Sequence, residues 1–247
     1  MNTIKRELED YKILLRSVPS IVTSVFVLSV VCMNLMANKE LFTSQYLCIN
    51  CGLALSWISF LCMDCICKRF GARASVKISI LALSVNLLTT IIFWLLSLTP
   101  GHWAAYYSAP DSATADFINA GLNSTFGGAW YVVIGSSVAM LTSSIVNSAV
   151  NHIVGTAVDK GGYSGFALRS FVSTCIGQWV DNFVFSALVS HVFFGWNWMQ
   201  VIICSTTSMF IELILEAIFS PLGYKVTRMW EDESVGDDYL NHPKAVI

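Results

Sequence analysis

Apolar residues in this chain gather into six long blocks, near residues 18–36, 45–66, 76–98, 129–157, 168–194 and 199–222, separated by polar segments. A bilayer core about 30 Å thick takes roughly 20 mostly apolar residues per helical crossing, so each block predicts one membrane-spanning helix. The expected fold is all-α, an integral membrane bundle of six transmembrane helices. Residues 1–17 form an amphipathic or polar N-terminal segment, 18–222 the six-helix domain, and 223–247 a polar tail. Within the first segment Ile4, Leu8, Tyr11 and Leu15 recur at helical spacing, the pattern of a helix lying on the membrane face.

Composition supports the same class. The 247 residues are 55% hydrophobic and 12% charged, with a mean hydropathy of +0.64, a combination that excludes an ordinary soluble domain. The distribution of Lys and Arg orients the bundle, because cytoplasmic loops collect them. With six crossings both termini share one side. That side holds Lys5, Arg6, Lys12, Arg16, Lys68, Arg69, Arg73, Lys77, Lys160, Lys225, Arg228 and Lys244, against Lys39 alone on the other, with Arg169 at the mouth of the fifth span. Both termini are therefore expected in the cytoplasm and the first span uncleaved. The expected location is the cell inner membrane, as a multi-pass protein.

The longest connection, 99–128, lacks Lys and Arg and is expected outside. Its Trp103, Tyr106, Tyr107, Phe117 and Ile118 suit either a lid or a segment at headgroup level. Of the eight cysteines, Cys48-x-x-Cys51 and the group Cys62, Cys65 and Cys67 carry no accompanying His, so a packing role is expected rather than a metal or disulfide. No cofactor is expected. His-Glu-x-x-His and Gly-x-Ser-x-Gly patterns are absent from the sequence, which argues against an enzyme. Nothing in the charge pattern calls for nucleic acid.

The candidate chemistry lies in polar residues set inside apolar blocks, where each ionisable side chain costs a few kcal/mol and normally faces a bundle interior. In the fifth block Thr174, Gln178, Asp181, Asn182 and Phe185 share one helical face. The fourth offers a stripe of Ser137, Ser144, Asn147, Ser148 and Asn151, with His152 beside it. The first ends in Asn34 and Asn38, and the sixth carries Ser205, Ser208, Glu212 and Glu216. Asp64 precedes the cationic turn Lys68, Arg69, Arg73, where pairing with Arg69 or Arg73 would pin the turn. A carboxylate with amide neighbours and aromatic rings suits a small, planar, polar guest, and a guanine-like edge is one that a carboxylate accepts as a pair. Asp181 is the expected centre, with Gln178, Asn182, Phe185, Asn34, Asn38, Asn147, Arg169 and Glu212 as further binding residues and Asp64, Arg69 and Arg73 as structural or gating residues.

Three stretches then resemble one family. MNLMANKEL (33–41), MDCICKRFGARASVKISI (63–80) and LRSFVSTCIGQWVDNFVF (168–185), followed by Pro221-x-x-Tyr224, are similar to the motifs of the queuosine-precursor transporter family. That family is also called the vitamin uptake transporters, and is related in fold to the substrate-binding components of energy-coupling-factor transporters. The resemblance implies six membrane helices and import of a deazaguanine-type precursor of queuosine. On matching positions it points to Asn34, Asn38, Asp64, Gly71, Arg73, Arg169, Gln178, Asp181 and Phe185. The chain departs from the pattern at Cys67-Lys68, and at Glu212 and Glu216, where a basic residue is expected. Queuine, a nucleoside and an earlier precursor all stay open as substrates. Expected partners are the small heterocycle, the lipid bilayer, and an energy-coupling module or a second copy of the chain. A binding subunit for a vitamin-like molecule, energised by a separate ATP-driven module, is the alternative.

Overall fold

A computed structural model describes residues 3–157 and 163–241, without the side chains of residues 3, 4, 148, 151, 152, 155–157, 163–170, 173 and 220. The described chain is almost wholly helical: α1 (Thr3–Ser17), α2 (Ser20–Met36), a hairpin of β1 (Glu40–Thr43) and β2 (Cys48–Asn50), α3 (Leu53–Phe70), α4 (Ala72–Ser97), α5 (Ser112–Gly127), α6 (Trp130–Ala157), α7 (Tyr163–Phe185), α8 (His191–Phe193), α9 (Trp198–Asp232) and α10 (Asp237–Leu240). Each expected block contains a helix. Three segments among the described residues are long and apolar enough to cross a membrane: Ala72–Ser97, Ser112–Asn147 and Trp198–Phe219. A bent pair, Lys5–Ser17 with Ser20–Met36, makes a fourth if counted as one span. Helix α3 carries three charged residues in its 18, Asp64, Lys68 and Arg69, more than the three apolar segments hold over a comparable length. Large apolar side chains stand exposed along α4 and α9, among them Leu88, Leu95, Phe210 and Ile218, a surface suited to lipid rather than water.

Contacts divide the chain into two compact units, with boundaries falling within α2, α4 and α9. The first comprises residues 1–33, 52–89 and 215–247. Its core gathers Leu14, Val18, Phe26, Val30, Cys62, Cys65, Ile66, Phe70, Ile78, Trp230 and Tyr239. Pro19 separates α1 from α2, since a residue before proline leaves the helical region, and the two helices meet at 101°. Gly71, at φ +87°, closes α3, its N–H donating to the Cys67 carbonyl at 2.9 Å. On α9 the helix runs through Pro221 to Asp232, beyond the expected end at 222. The tail is likewise more ordered than a polar extension. Arg69 donates to the Val235 carbonyl at 2.9 Å and to Asp237 at 2.7 Å, and Tyr239 is buried.

This geometry corrects the expected pairing of Asp64 with Arg69 or Arg73. Five residues along a helix rotate a side chain by about 140° off the starting face, so Asp64 and Arg69 point apart. Arg69 turns to the tail, and Arg73, beyond the glycine break, pairs with Glu7 at 2.8 Å. Lys77 joins Glu7 at 3.1 Å and also binds Asp10.

The second unit comprises residues 34–51 and 90–214. Residues 45–50, expected in a span, belong instead to the hairpin, which pairs Phe42 with Ile49 and Thr43 with Cys48. Gln200 and Thr207 of α9 donate to the carbonyls of Ser44 and Tyr46 in its turn. Cys48 packs with Trp196, Val201 and Cys204, the apolar role expected for such a thiol. The expected loop 99–128 holds a helix of its own, α5. Trp103 anchors the approach to it, donating from its indole to Asn123 Oδ1 at 2.7 Å and from its backbone N–H to Asn119 Oδ1 at 2.9 Å, while stacking on Phe126. Asp111 caps α5, accepting from the Thr114 N–H at 2.9 Å.

That cap sets a pH dependence. Hydrogen bonds from the Thr114 backbone and hydroxyl hold the Asp111 carboxyl below its ordinary range. A lowered folded value means the cap's contribution is complete above the unfolded carboxyl value of about 3.9 and is lost as pH falls through the folded one. Amide exchange over Ser112 to Ala115, corrected for intrinsic rate, is expected to quicken at that acid end and to be flat in Asp111→Ala.

Candidate functional site

Helices α6 and α7 pack antiparallel through a stripe of small residues spaced by four: Gly135, Ala139, Ser143 and Asn147. A Cβ on Gly135 would lie 2.2 Å from Val189 Cγ2, and one on Gly177 would lie 3.1 Å from Asn147 Cβ. Between these levels Ser143 Oγ donates to Asp181 Oδ1 at 2.9 Å. Close approach of the helices, permitted by Gly and Ser, thus delivers a hydroxyl to the carboxylate. Asp181 is half-buried, and among the described residues no cation pairs with it and its Oδ2 has no hydrogen-bond partner.

At the next position, Asn182 Nδ2 donates to Glu212 Oε2 of α9 at 2.7 Å and to the Gln178 carbonyl at 3.0 Å. Gln178 and Glu212 are buried. Trp179 donates from its indole to Thr206 at 3.1 Å and stacks on Phe183 with centroids 5.1 Å apart. The Oδ1 of Asn147 is buried and meets no hydrogen-bond donor among the described residues. A buried acceptor left open costs about 1–3 kcal/mol, so this atom marks a place where a guest donor would be stabilised. The arrangement offers carboxylate and amide acceptors, an amide donor held by a second carboxylate, and a flat indole.

The expected residues are only partly assembled. Asp181, Asn182 and Glu212 join with Gln178 and Asn147 along facing helices. Asn38 is elsewhere: its Oδ1 accepts from the Tyr131 hydroxyl at 3.0 Å. Tyr131 precedes Ser143 by twelve residues on α6, about 18 Å at 1.5 Å per residue. Asn34 is buried near the end of α2 and Phe185 is half-buried at the end of α7. The side chains of Arg169, Ser148, Asn151 and His152 lie outside the described residues, as does Lys160. Asp64, Arg69 and Arg73 belong to the first unit. A cleft of about 370 Å³ in the first unit is lined by Ile13, Arg16, Ser17, Ser234, Gly236, Asp237 and Asp238.

Comparison with known families matches residues 50–226 to the family described as "Putative vitamin uptake transporter". The chain belongs to this family. No curated protein and no solved structure matches it. The matched span takes in α3 to α7 and most of α9, and so the whole of the Asp181 cluster of this membrane transporter.

Ser143 was not among the expected residues, which placed Ser144 on the polar stripe instead. The signal that finds it is the four-residue spacing from Gly135 through Ala139 to Asn147, a packing pattern rather than a polar one. This close contact is testable. Gly177→Val adds methyl groups where even one Cβ meets Asn147 at 3.1 Å, and overpacking of this kind costs about 1–3 kcal/mol. A lower melting temperature of the purified transporter is expected, with Gly177→Ala closer to the parent.

Proposed function

We propose that this transporter imports a queuosine precursor, a deazaguanine-type base or its nucleoside, across the cell inner membrane. In this reading it has six spans and cytoplasmic termini. The observation that carries the reading is the Asp181 carboxylate, with one oxygen held by Ser143 and the other open, beside the open acceptor of Asn147. The carboxylate takes the ring N–H and amino group of the base as a pair, and an amide from Gln178 or Asn182 meets the ring carbonyl. Trp179 and Phe183 supply a stacking surface. The guest enters between α6, α7 and α9, which open alternately toward each side. Glu212, bonded to Asn182 beside the base, is the candidate proton carrier. Asn34, Phe185 and Arg169 complete the proposed binding set on the strength of the family motifs.

Thermal stabilisation of the purified protein by a panel of deazaguanines, purines and vitamins tests the substrate class, since a ligand that binds the native state raises its melting temperature. Deazaguanines and queuine are expected to stabilise and adenine, which lacks the guanine donor pair, is not. Stabilisation by a chemically unrelated vitamin alone would refute the reading. The family's description names vitamin uptake, and a second reading is a binding subunit for a vitamin-like molecule that depends on an ATP-driven module. Uptake by the chain expressed alone in cells without their own system separates the two.

A further inference from the structure

Helix α1 lies before residue 50, outside the span matched by the family, and the transport reading gives it no task. Its sides differ sharply. Leu14 and Asp10 are fully buried, and Glu7 and Asp10 are tied to Arg73 and Lys77, so one face is docked on the first unit. Rotating by about 120° around the helix brings Leu8, 60% exposed, and Leu15, 38% exposed, which stand one above the other at a spacing of seven. Next to them runs a strip of exposed Lys5, Lys12 and Arg16, with Glu9 at its far edge.

We propose that this second face is a docking surface for the bilayer, with Leu8 and Leu15 inserted at the acyl boundary and Lys5, Lys12 and Arg16 on anionic headgroups. Two further observations choose lipid as the occupant. The 101° bend at Pro19 lays α1 along the membrane plane if α2 crosses it. The helix's own acids are mostly spent inward on Arg73 and Lys77, leaving the outer strip cationic. An apolar stripe flanked by Lys and Arg is the arrangement that holds a helix at an interface, and each cation near an anionic surface is worth about a fivefold preference. Because Glu7 and Asp10 grip residues just after the turn between α3 and α4, the lipid contact braces that turn against the membrane.

The test places the photoreactive residue p-benzoylphenylalanine at Leu8, at Leu15 or, as a control, at Glu9 of the full chain. The protein is held in vesicles of phosphatidylcholine with phosphatidylglycerol, irradiated and weighed by mass spectrometry. Positions 8 and 15 are expected to give phospholipid adducts enriched in phosphatidylglycerol over its share of the vesicle, and position 9 far fewer. The triple variant Lys5→Gln, Lys12→Gln, Arg16→Gln is expected to keep the adducts but lose the enrichment. Protein adducts of doubled mass, or no adducts at 8 and 15, would overturn the proposal in favour of a second copy or of water.

Discussion

Asp181→Asn is expected to weaken binding of a guanine-like base by about 10- to 100-fold while leaving the melting temperature of the empty protein close to the parent's. The two halves of this expectation have separate causes. Asparagine keeps the shape and an oxygen that still accepts from Ser143, which the carboxylate now does at 2.9 Å, so the α6 and α7 contact survives. It loses the charge and converts the second acceptor into a donor, which opposes the donor edge of the base. A hydrogen bond to a charged group is worth about 1.5–3 kcal/mol, which sets the range. Ser143→Ala removes only the hydroxyl that orients the carboxylate, so a smaller loss, nearer tenfold, is expected. Isothermal titration with a deazaguanine measures both. Unchanged affinity in Asp181→Asn would take this residue out of the site and leave the proposed substrate class without its main support.

The helices were legible because their apolar blocks are long and few charges interrupt them. What the blocks hid were elements that depend on partners. Residues 45–50 are apolar enough to read as the start of a span, yet they close a hairpin whose turn is held by Gln200 and Thr207, contacts made across about 160 residues of chain that no local pattern records. Helix α5 is rich in Gly, Ser, Thr and Asn, all weak helix formers. Its cap Asp111 and the anchoring of Trp103 by Asn119 and Asn123 override that preference. The polar residues of α7 recur at helical spacing, but periodicity cannot say which residues oppose them: Asp181 meets α6 and Asn182 meets α9. Ser143 and not Ser144 meets Asp181 because helix packing is set by the small residues at four-residue spacing. Asn38 shared the polar pattern and still fell to Tyr131, since a stripe along one helix extends farther than one ligand.

Tyr239→Ala is expected to release the tail over residues 234–241, at a local cost of about 3–5 kcal/mol, the range for truncating a buried aromatic. The side chain is 2% exposed and meets Phe70 edge-on at 6.3 Å, and Phe70 in turn meets Trp230 at 6.1 Å. Helix α10 has four residues, too few to persist without packing, so loss of this one ring removes its reason to form. Gly236→Ala should act alike by another route: the backbone there has φ +80°, and a Cβ would sit 2.1 Å from Phe70 Cε1. The Tyr239 hydroxyl has no hydrogen bond among the described residues, so Tyr239→Phe should be nearly neutral. Hydrogen exchange reads these outcomes directly, through faster exchange over 234–241 in the first two variants and parent-like protection in the third. Because α10 packs on α1, exchange in α1 should rise with it, while α6 and α7, in the other unit, keep their protection. A Tyr239→Ala variant whose tail stays as protected as the parent's would show that Arg69, through Val235 and Asp237, holds the tail without the aromatic cluster.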